Sequence, residues 1–146
     1  MKKLLLLLTA AMLFGGCHAG RDHENASEYY GELSKAQEIA VIPADASAAA
    51  QVLAESEEIS DFIFALDMEQ WEWKTLPKEA EFVGTFRFSQ EETIQFGESA
   101  ADGELHPVCE VLYYADIPYL TLKIAGSEMT FQVPDEAAEA LAEYFR

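Results

Sequence analysis

The chain has 146 residues, of which 27 are acidic and 9 basic, so its formal net charge at neutral pH is −18. A protein of this charge repels nucleic-acid phosphates and anionic lipid head groups, which excludes both as expected ligands. The charge favours a cation or a basic partner, and it also suits the solvated surface of an exported domain. Half of the residues are hydrophobic, enough for the core of one domain.

Residues 1–17 have the pattern of an export signal. Lys2 and Lys3 give the segment a positive start, and residues 4–14 form an almost unbroken apolar run. The run is shorter than the ~20 residues that span a bilayer. It has the length that is typical of the apolar part of a signal peptide. We therefore predict that residues 1–16 are a signal peptide.

The end of this run, Leu13-Phe14-Gly15-Gly16-Cys17, resembles the lipobox of bacterial lipoproteins. Phe14 departs from the leucine that is usual there. The resemblance implies cleavage just before Cys17 and a diacylglyceryl group on its sulfur, with palmitate-type chains. Two acyl chains give a stable anchor, so we expect attachment to the outer face of the bacterial cytoplasmic membrane, or to the outer membrane in a Gram-negative cell. The alternative is an ordinary secretory signal cut near Ala19 and Gly20.

The remaining chain divides into a tether and a domain. Residues 17–35 are polar and lack apolar periodicity, which predicts a flexible tether. Residues 36–146 are expected to form a single domain. If Cys17 carries a lipid, Cys109 has no cysteine partner, so the domain is expected to fold without an intrachain disulfide.

The first part of the domain reads as a strand followed by helix. Residues 38–43 are β-prone and end at Pro43. Residues 45–66 then show helical character, with Asp45 or Ser47 as the cap, and the sequence leaves open whether they form one helix or two. The clearest helical face recurs at intervals of three and four residues: Ile59, Phe62, Ile63 and Leu66.

The middle of the chain reads as irregular structure and then strands. Residues 67–78 lose the helical period, which predicts a loop or an irregular edge strand. Residues 82–88 alternate in polarity and predict a strand with Phe82, Gly84, Phe86 and Phe88 on one side. A turn at residues 89–92 and a short strand at residues 93–96 follow.

The last part predicts a meander and a final helix. Residues 108–114, 119–124 and 128–133 read as strands, with a tight turn at Gly126. Phe131 is expected to point inward. Pro134 and the acids after it favour the start of a helix, whose apolar stripe consists of Ala137, Leu141, Tyr144 and Phe145.

This order predicts the α+β class: an antiparallel meander of about five to six strands with two main helices packed on one face. The order of elements over residues 38–145 resembles the small α+β domains of uncharacterised Gram-positive extracytoplasmic lipoproteins. The resemblance implies a fold and implies no activity.

The sequence offers weak candidates for a site. Five aromatic residues could form a binding surface: Trp71, Trp73, Tyr113, Tyr114 and Tyr119. An acidic loop could hold a metal ion weakly through Glu98, Asp102 and Glu104. His106 and Cys109 are candidates for a nucleophilic or metal site, but their spacing in a strand places them on opposite faces. No motif marks a catalytic residue, and none indicates a cofactor.

These features predict a membrane-anchored, non-enzymatic binding or interaction module. Its expected partners are the membrane, through the lipid on Cys17, and a protein or small molecule whose identity the sequence does not give. The alternative is a hydrolase of the cell envelope that uses paired carboxylates. A flat aromatic surface would favour the binding module, and carboxylates in a cleft would favour the hydrolase.

Overall fold

The computed structural model describes residues 26–91 and 104–146. These residues form an α+β fold with a seven-stranded antiparallel sheet, one strand more than the upper end of the expected range. The helices are α1 (Tyr30–Leu33), α2 (Ser56–Leu66) and α3 (Asp135–Ala142). The strands are β1 (Glu38–Pro43), β2 (Gln51–Leu53), β3 (Glu72–Trp73), β4 (Phe82–Glu91), β5 (Leu105–Tyr114), β6 (Tyr119–Ile124) and β7 (Ser127–Gln132). Their order in the sheet is β2-β1-β4-β5-β6-β7-β3.

The ordered domain begins before residue 36, which corrects part of the predicted tether. Ala26–Tyr29 forms a 3₁₀ turn that leads directly into α1. Ala26 and Leu33 are fully buried in the core. The Tyr29 hydroxyl lies 3.5 Å from the sulfur of Met129 in β7. A polar stretch can thus be ordered when a few apolar side chains within it reach the core.

The region between β1 and α2 also differs from the prediction. Residues 45–55 are not helical; instead β2 pairs antiparallel with β1, joining Ala40 to Val52. The helical face begins at Ser56 and buries the four apolar residues that the sequence indicated. Residues 48–50 favour a helix by composition, but they offer no apolar face to bury, and pairing with β1 prevails.

Strand β4 confirms Gly84, Phe86 and Phe88 as its buried side, but Phe82 does not belong to that side. A register shift between Phe82 and Gly84 turns the first residue outward, where it is 44% exposed. Such an irregularity reverses side-chain alternation, and this is why the sequence pattern fails there. The strand also continues to Glu91 through the predicted turn, and the predicted strand at residues 93–96 lies outside the described residues.

The hairpin of β6 and β7 confirms the sequence prediction. Ala125 and Gly126 form its turn with positive φ angles of 52° and 81°. The pairing sets Leu120 opposite Phe131 and Leu122 opposite Met129, and all four side chains are buried. Alternation with a period of two is sufficient to predict this element.

The core lies between one face of the sheet and the helices α2 and α3. The Phe86 ring in β4 is 5.0 Å from that of Phe62 in α2. It is also 5.7 Å from the ring of Tyr144, which follows α3. One side chain of the sheet therefore contacts both helical regions, and the two helices share a face as predicted.

The opposite face carries a row of alternating charges. Arg87, Glu110, Lys123 and Glu128 lie opposite one another across β4, β5, β6 and β7. Arg87 Nε donates to Glu110 Oε2 at 3.2 Å. Such a row belongs on a solvated face, where opposite charges on neighbouring strands favour the observed register. In the part of the chain that the structure describes, no helix is both long and apolar enough to cross a membrane.

Candidate active site

A cleft of about 690 Å³ opens where the end of α2 meets the start of α3 and the N-terminal turns. Its walls are apolar, with Ile63, Met68, Pro134 and Ala137 among them. Three carboxylate residues also line it: Asp67, Glu69 and Glu136. An apolar space with a few polar groups at its border is the usual form of a small-molecule site.

Asp67 stands at the point where α2 ends. Its backbone adopts the left-handed conformation, with φ 48° and ψ 52°, and its N–H donates to the carbonyl of Phe64 at 3.2 Å. A left-handed residue at this position commonly ends a helix, and glycine is preferred there. The sharp turn lets Met68 enter the core while Asp67 and Glu69 line the cleft.

Trp71 holds this turn in place. Its indole N–H donates to the carbonyl of Leu66 at 2.6 Å, which satisfies an acceptor at the end of α2. The indole ring is buried and lies 5.4 Å from the ring of Phe131 in β7. The tryptophan therefore fixes the position of Asp67 relative to the sheet.

The start of α3 forms the other side of the cleft. Pro134 precedes the helix without a side-chain cap, and its carbonyl accepts the N–H groups of Ala137 and Ala138 at 3.0 and 3.1 Å. The N–H groups of Asp135 and Glu136 lie in the first turn, where helix N–H groups have no intrahelical acceptor. They offer positive dipole ends near the carboxylates of the cleft.

Asp67, Pro134 and Glu136 also border a second cleft of about 590 Å³. Its other lining includes Gln70, Glu72 and Gln132, so it is polar where the first cleft is apolar. These three residues thus separate an apolar space from a polar one. A reacting bond at this boundary could have an apolar group on one side and water on the other.

The mouth of the apolar cleft exposes two aromatic side chains. Phe64 on α2 is 82% exposed and Tyr30 on α1 is 48% exposed. Phe64 lies outside the buried face of α2, on a helix whose other outward residues are mostly polar or acidic. Together the two rings extend the apolar surface of the cleft outward at its mouth.

No ion pair among the described residues includes a carboxylate of the cleft. The described ion pairs join Lys35 to Glu32, Lys74 to Glu72, Arg87 to Glu110 and Arg146 to Glu143. Within residues 26–91 and 104–146, none of these pairs involves Asp67, Glu69 or Glu136. No described ion pair therefore reduces the negative field of the cleft, which solvent and salt screen.

The predicted aromatic surface does not form. Trp71, Tyr113 and Tyr114 are buried, at 5%, 7% and 6% exposure. Trp73 is half exposed on the edge strand β3, with its ring 5.9 Å from that of Phe131, and Tyr119 is partly buried. Three of the five residues belong to the packed interior, so the set offers no common face to a partner.

Tyr114 instead belongs to a chain of hydroxyl groups across three strands. Its hydroxyl lies 2.8 Å from Thr121 Oγ1, which lies 2.8 Å from Thr130 Oγ1. Thr121 is 1% exposed. Buried hydroxyls require such partners, because an unpaired one costs about 1–3 kcal/mol. The tyrosine is therefore structural, although its residue type suggested an interface.

Cys109 is unsuited to nucleophilic chemistry. Burial, with a smaller contribution from the Glu110 carboxylate, raises the pKa of its thiol from 9.0 to about 12. The reactive form of cysteine is the thiolate, so the thiol is inert at neutral pH. His106 lies opposite Gln90 in the sheet, three residues before Cys109. Cys109 is 3% exposed and is therefore a residue of the packed core.

The raised pKa of Cys109 predicts a loss of stability at alkaline pH. Above about pH 9 the unfolded chain gains a thiolate, whereas the folded thiol stays protonated, so stability is complete below that pH and declines above it. Between about pH 8 and about pH 10, urea melts should show the wild type losing ~1 kcal/mol more than Cys109→Ala. Equal losses in the two proteins would contradict this assignment.

The structure describes only Glu104 of the three acidic residues proposed as a weak metal site. Glu98 and Asp102 lie outside the described residues, and Glu104 is exposed just before β5. In the two described ranges, no group of three or more His, Cys, Asp or Glu residues is placed to hold a metal ion. Because two of its three residues lie outside the described ranges, the weak metal candidate stays a prediction.

Sequence reasoning did not identify the cleft residues. Asp67, Glu69 and Glu136 were indistinguishable from the many other acids, because their significance depends on the meeting of α2 with α3. One signal was present: Phe64 is a large aromatic residue on the polar side of a helix whose apolar face was already complete. An aromatic at such a position is a candidate for a binding role.

Comparisons with known proteins yielded a structural match. No protein-family model and no curated protein matches the sequence. A solved structure described as a thioesterase-like protein from Clostridium sporogenes matches with a TM-score of 0.46 and 16% identity. The match covers 77% of this chain and 96% of that one. At this identity the likeness concerns the course of the backbone and assigns no activity.

The prediction of a non-enzymatic binding module is corrected. It depended on an aromatic surface, and the structure buries Trp71, Tyr113 and Tyr114, which made up most of that surface. Carboxylates do line a cleft, which is the feature expected of the hydrolase alternative.

Proposed function

We propose that this protein is a carboxylate-based hydrolase of the cell envelope that cleaves an ester-type bond in a substrate with an apolar part. One observation carries the proposal: Asp67 and Glu136 lie where an apolar cleft meets a polar one. The apolar walls would hold the substrate, and the polar side would supply water. Cys109 is buried and its pKa is raised, so it is unsuited as nucleophile, and we propose that an activated water molecule attacks the bond.

In the proposed reaction Asp67 acts as general base. Its carboxylate takes a proton from a water molecule whose oxygen attacks the carbonyl carbon of the ester. The carbon–oxygen bond to the leaving group then breaks, and Asp67 returns the proton to the departing alkoxide. Ester and water become a carboxylic acid and an alcohol, and the enzyme is unchanged.

The start of α3 would stabilise the charge that develops on the carbonyl oxygen. The first-turn N–H groups of Asp135 and Glu136 are donors at the positive end of a helix dipole. Donors fixed in advance at such a position are a large source of rate enhancement. The Glu136 carboxylate, which borders both clefts, would accept a hydrogen bond from the attacking water and orient it.

Asp67→Asn is expected to lower the turnover of the full chain on p-nitrophenyl esters of acyl chains by about 10²–10⁴-fold. Asn tolerates the left-handed backbone and keeps the shape of Asp, so folding should be unaffected. Asp67→Gly separates the two roles of this residue. Because glycine is favoured at this position, that variant should gain roughly 0.5–1 kcal/mol in stability while losing activity.

The matched control is Glu79→Gln, which removes an exposed carboxylate from a loop that lines neither cleft. It should leave turnover within about twofold of the wild type. Ester hydrolysis no faster than the buffer reaction would refute the hydrolase. Full turnover by Asp67→Asn would refute the assigned base.

The envelope location depends on the proposed lipid on Cys17. The apolar run and Gly15-Gly16-Cys17 support this part of the proposal. Ser27, which lines the apolar cleft, follows Cys17 closely in the chain, so an anchored protein would keep the cleft near the membrane. Mass spectrometry of the mature N-terminus should find a diacylglyceryl group on Cys17, and a free thiol there would contradict the anchor.

A further inference from the structure

We infer that the substrate of this site is a cationic amphiphile, a molecule with an apolar chain and a positively charged group close to the bond that reacts. The inference rests on the proposed function, because it names the substrate class of the same cleft. It is drawn from the arrangement of apolar and charged groups in the cleft. The ligand-binding part can be tested without any hydrolysis.

The apolar part of the ligand follows from the walls and mouth of the cleft. Ile63 and Met68 contribute apolar surface, and Phe64 extends it outward as an 82%-exposed ring. Covering such surface contributes about 25 cal/mol per Å². The volume of about 690 Å³ suits a chain or ring system rather than a single ion.

The positive charge of the ligand follows from the border of the cleft. Asp67, Glu69 and Glu136 line it, and within the described residues no lysine or arginine does. The described cations lie at other places in the chain: Lys35, Lys74, Lys78, Arg87, Lys123 and Arg146. A cationic group would therefore find three carboxylates that take part in none of the described ion pairs.

The net charge of the whole protein also favours a cationic ligand. With a net charge of −18, the chain repels an anionic substrate at long range and attracts a cation. Phosphorylated acyl carriers and free fatty acids are disfavoured for this reason. Tyr30, 48% exposed at the cleft mouth, adds an aromatic face of the kind that binds ammonium groups.

Binding of three probes with the same ten-carbon chain tests the inference. Decyltrimethylammonium, decyl maltoside and decyl sulfate differ in head-group charge, and each is titrated by calorimetry into the full chain below its critical micelle concentration. The cationic probe should bind about tenfold or more tightly than the anionic one. Added salt should reduce this preference. Equal affinity for the three probes, or preference for decyl sulfate, would overturn the inference.

Two double variants separate the cleft from the general charge of the protein. Asp67→Asn/Glu136→Gln and Glu79→Gln/Glu81→Gln remove the same number of charges, but only the first pair lines the cleft. The first variant should lose most of the preference for the cation, and the second should keep it. If both lose it equally, the attraction is non-specific and the inference is refuted. Phe64→Ala should weaken the binding of all three probes by a similar factor.

The two proposals fail in different ways. Cation-selective binding without turnover of any ester would support the inference and refute the hydrolase. Ester turnover that ignores the charge of the substrate would support the hydrolase and overturn the inference. Comparing cationic and neutral esters of equal chain length for kcat/KM completes the test, with the cationic ester expected to react about tenfold faster.

Discussion

Phe131→Ala is expected to lower the free energy of unfolding by about 3–5 kcal/mol. The side chain is 1% exposed in β7 and lies opposite Leu120 of β6. Its ring also contacts both tryptophans, with ring centroids 5.4 Å from Trp71 and 5.9 Å from Trp73. Removing it leaves a cavity at the junction of β7, β3 and the turn after α2, where neighbouring side chains cannot close in fully.

Urea denaturation followed by tryptophan fluorescence measures this loss directly. The matched control is Phe64→Ala, which removes the same side chain from a position that is 82% exposed, and it should change stability by less than ~0.5 kcal/mol. Because Trp71 fixes the Asp67 turn and packs on Phe131, Phe131→Ala should also weaken ligand binding at the cleft. A loss of stability below ~1 kcal/mol would contradict the packing of Phe131 against Leu120 and the two tryptophans.

Gly84→Ala is expected to cost about 1–3 kcal/mol even though it adds only one methyl group. Gly84 is buried in β4 between β1 and β5. A Cβ atom there would meet the Phe145 ring and would lie 2.8 Å from the carbonyl oxygen of Ile42. The ring can shift, but the carbonyl belongs to the neighbouring strand and cannot move without disturbing the sheet.

Gly31→Ala provides the matched control, because a Cβ on Gly31 has nothing within 4 Å. That variant should be neutral or up to ~1 kcal/mol more stable, since alanine favours the short helix α1. In the double variant Gly84→Ala/Phe145→Leu, the smaller side chain should recover part of the loss and leave the part due to Ile42. Thermal melts of the wild type, Gly84→Ala, Gly31→Ala and the double variant measure these changes in stability. A Gly84→Ala variant as stable as the wild type would refute the close approach of Gly84 to Phe145 and Ile42.

Local sequence patterns predicted an element correctly where one of its faces is buried in the core and the other is exposed to solvent. The alternation over residues 119–133 predicted the β6–β7 hairpin, and the three- and four-residue spacing of Ile59, Phe62, Ile63 and Leu66 predicted the buried face of α2. The antiparallel α+β class followed from the order of these elements. Each of these conclusions depends on residues that are close in the chain.

Local patterns failed where a distant partner decided the structure. Residues 51–53 form a strand because β1 is available to pair with them, and Ala26 and Leu33 are ordered because the core accepts them. Phe82 turns outward because of a register shift within the sheet. The aromatic residues were the clearest case: residue type alone could not tell the exposed Trp73 from the buried Trp71.

By itself, the sequence determined the negative charge, the export-type N-terminal pattern, and the elements whose apolar residues repeat with a helical or strand period. Only the tertiary structure decided which of the many acids lie together, because Asp67 and Glu136 are brought to one cleft by the packing of α2 and α3 against the same sheet face. Periodicity records which side of an element is buried, whereas a site is formed between elements, and its residues carry no mutual signal along the chain.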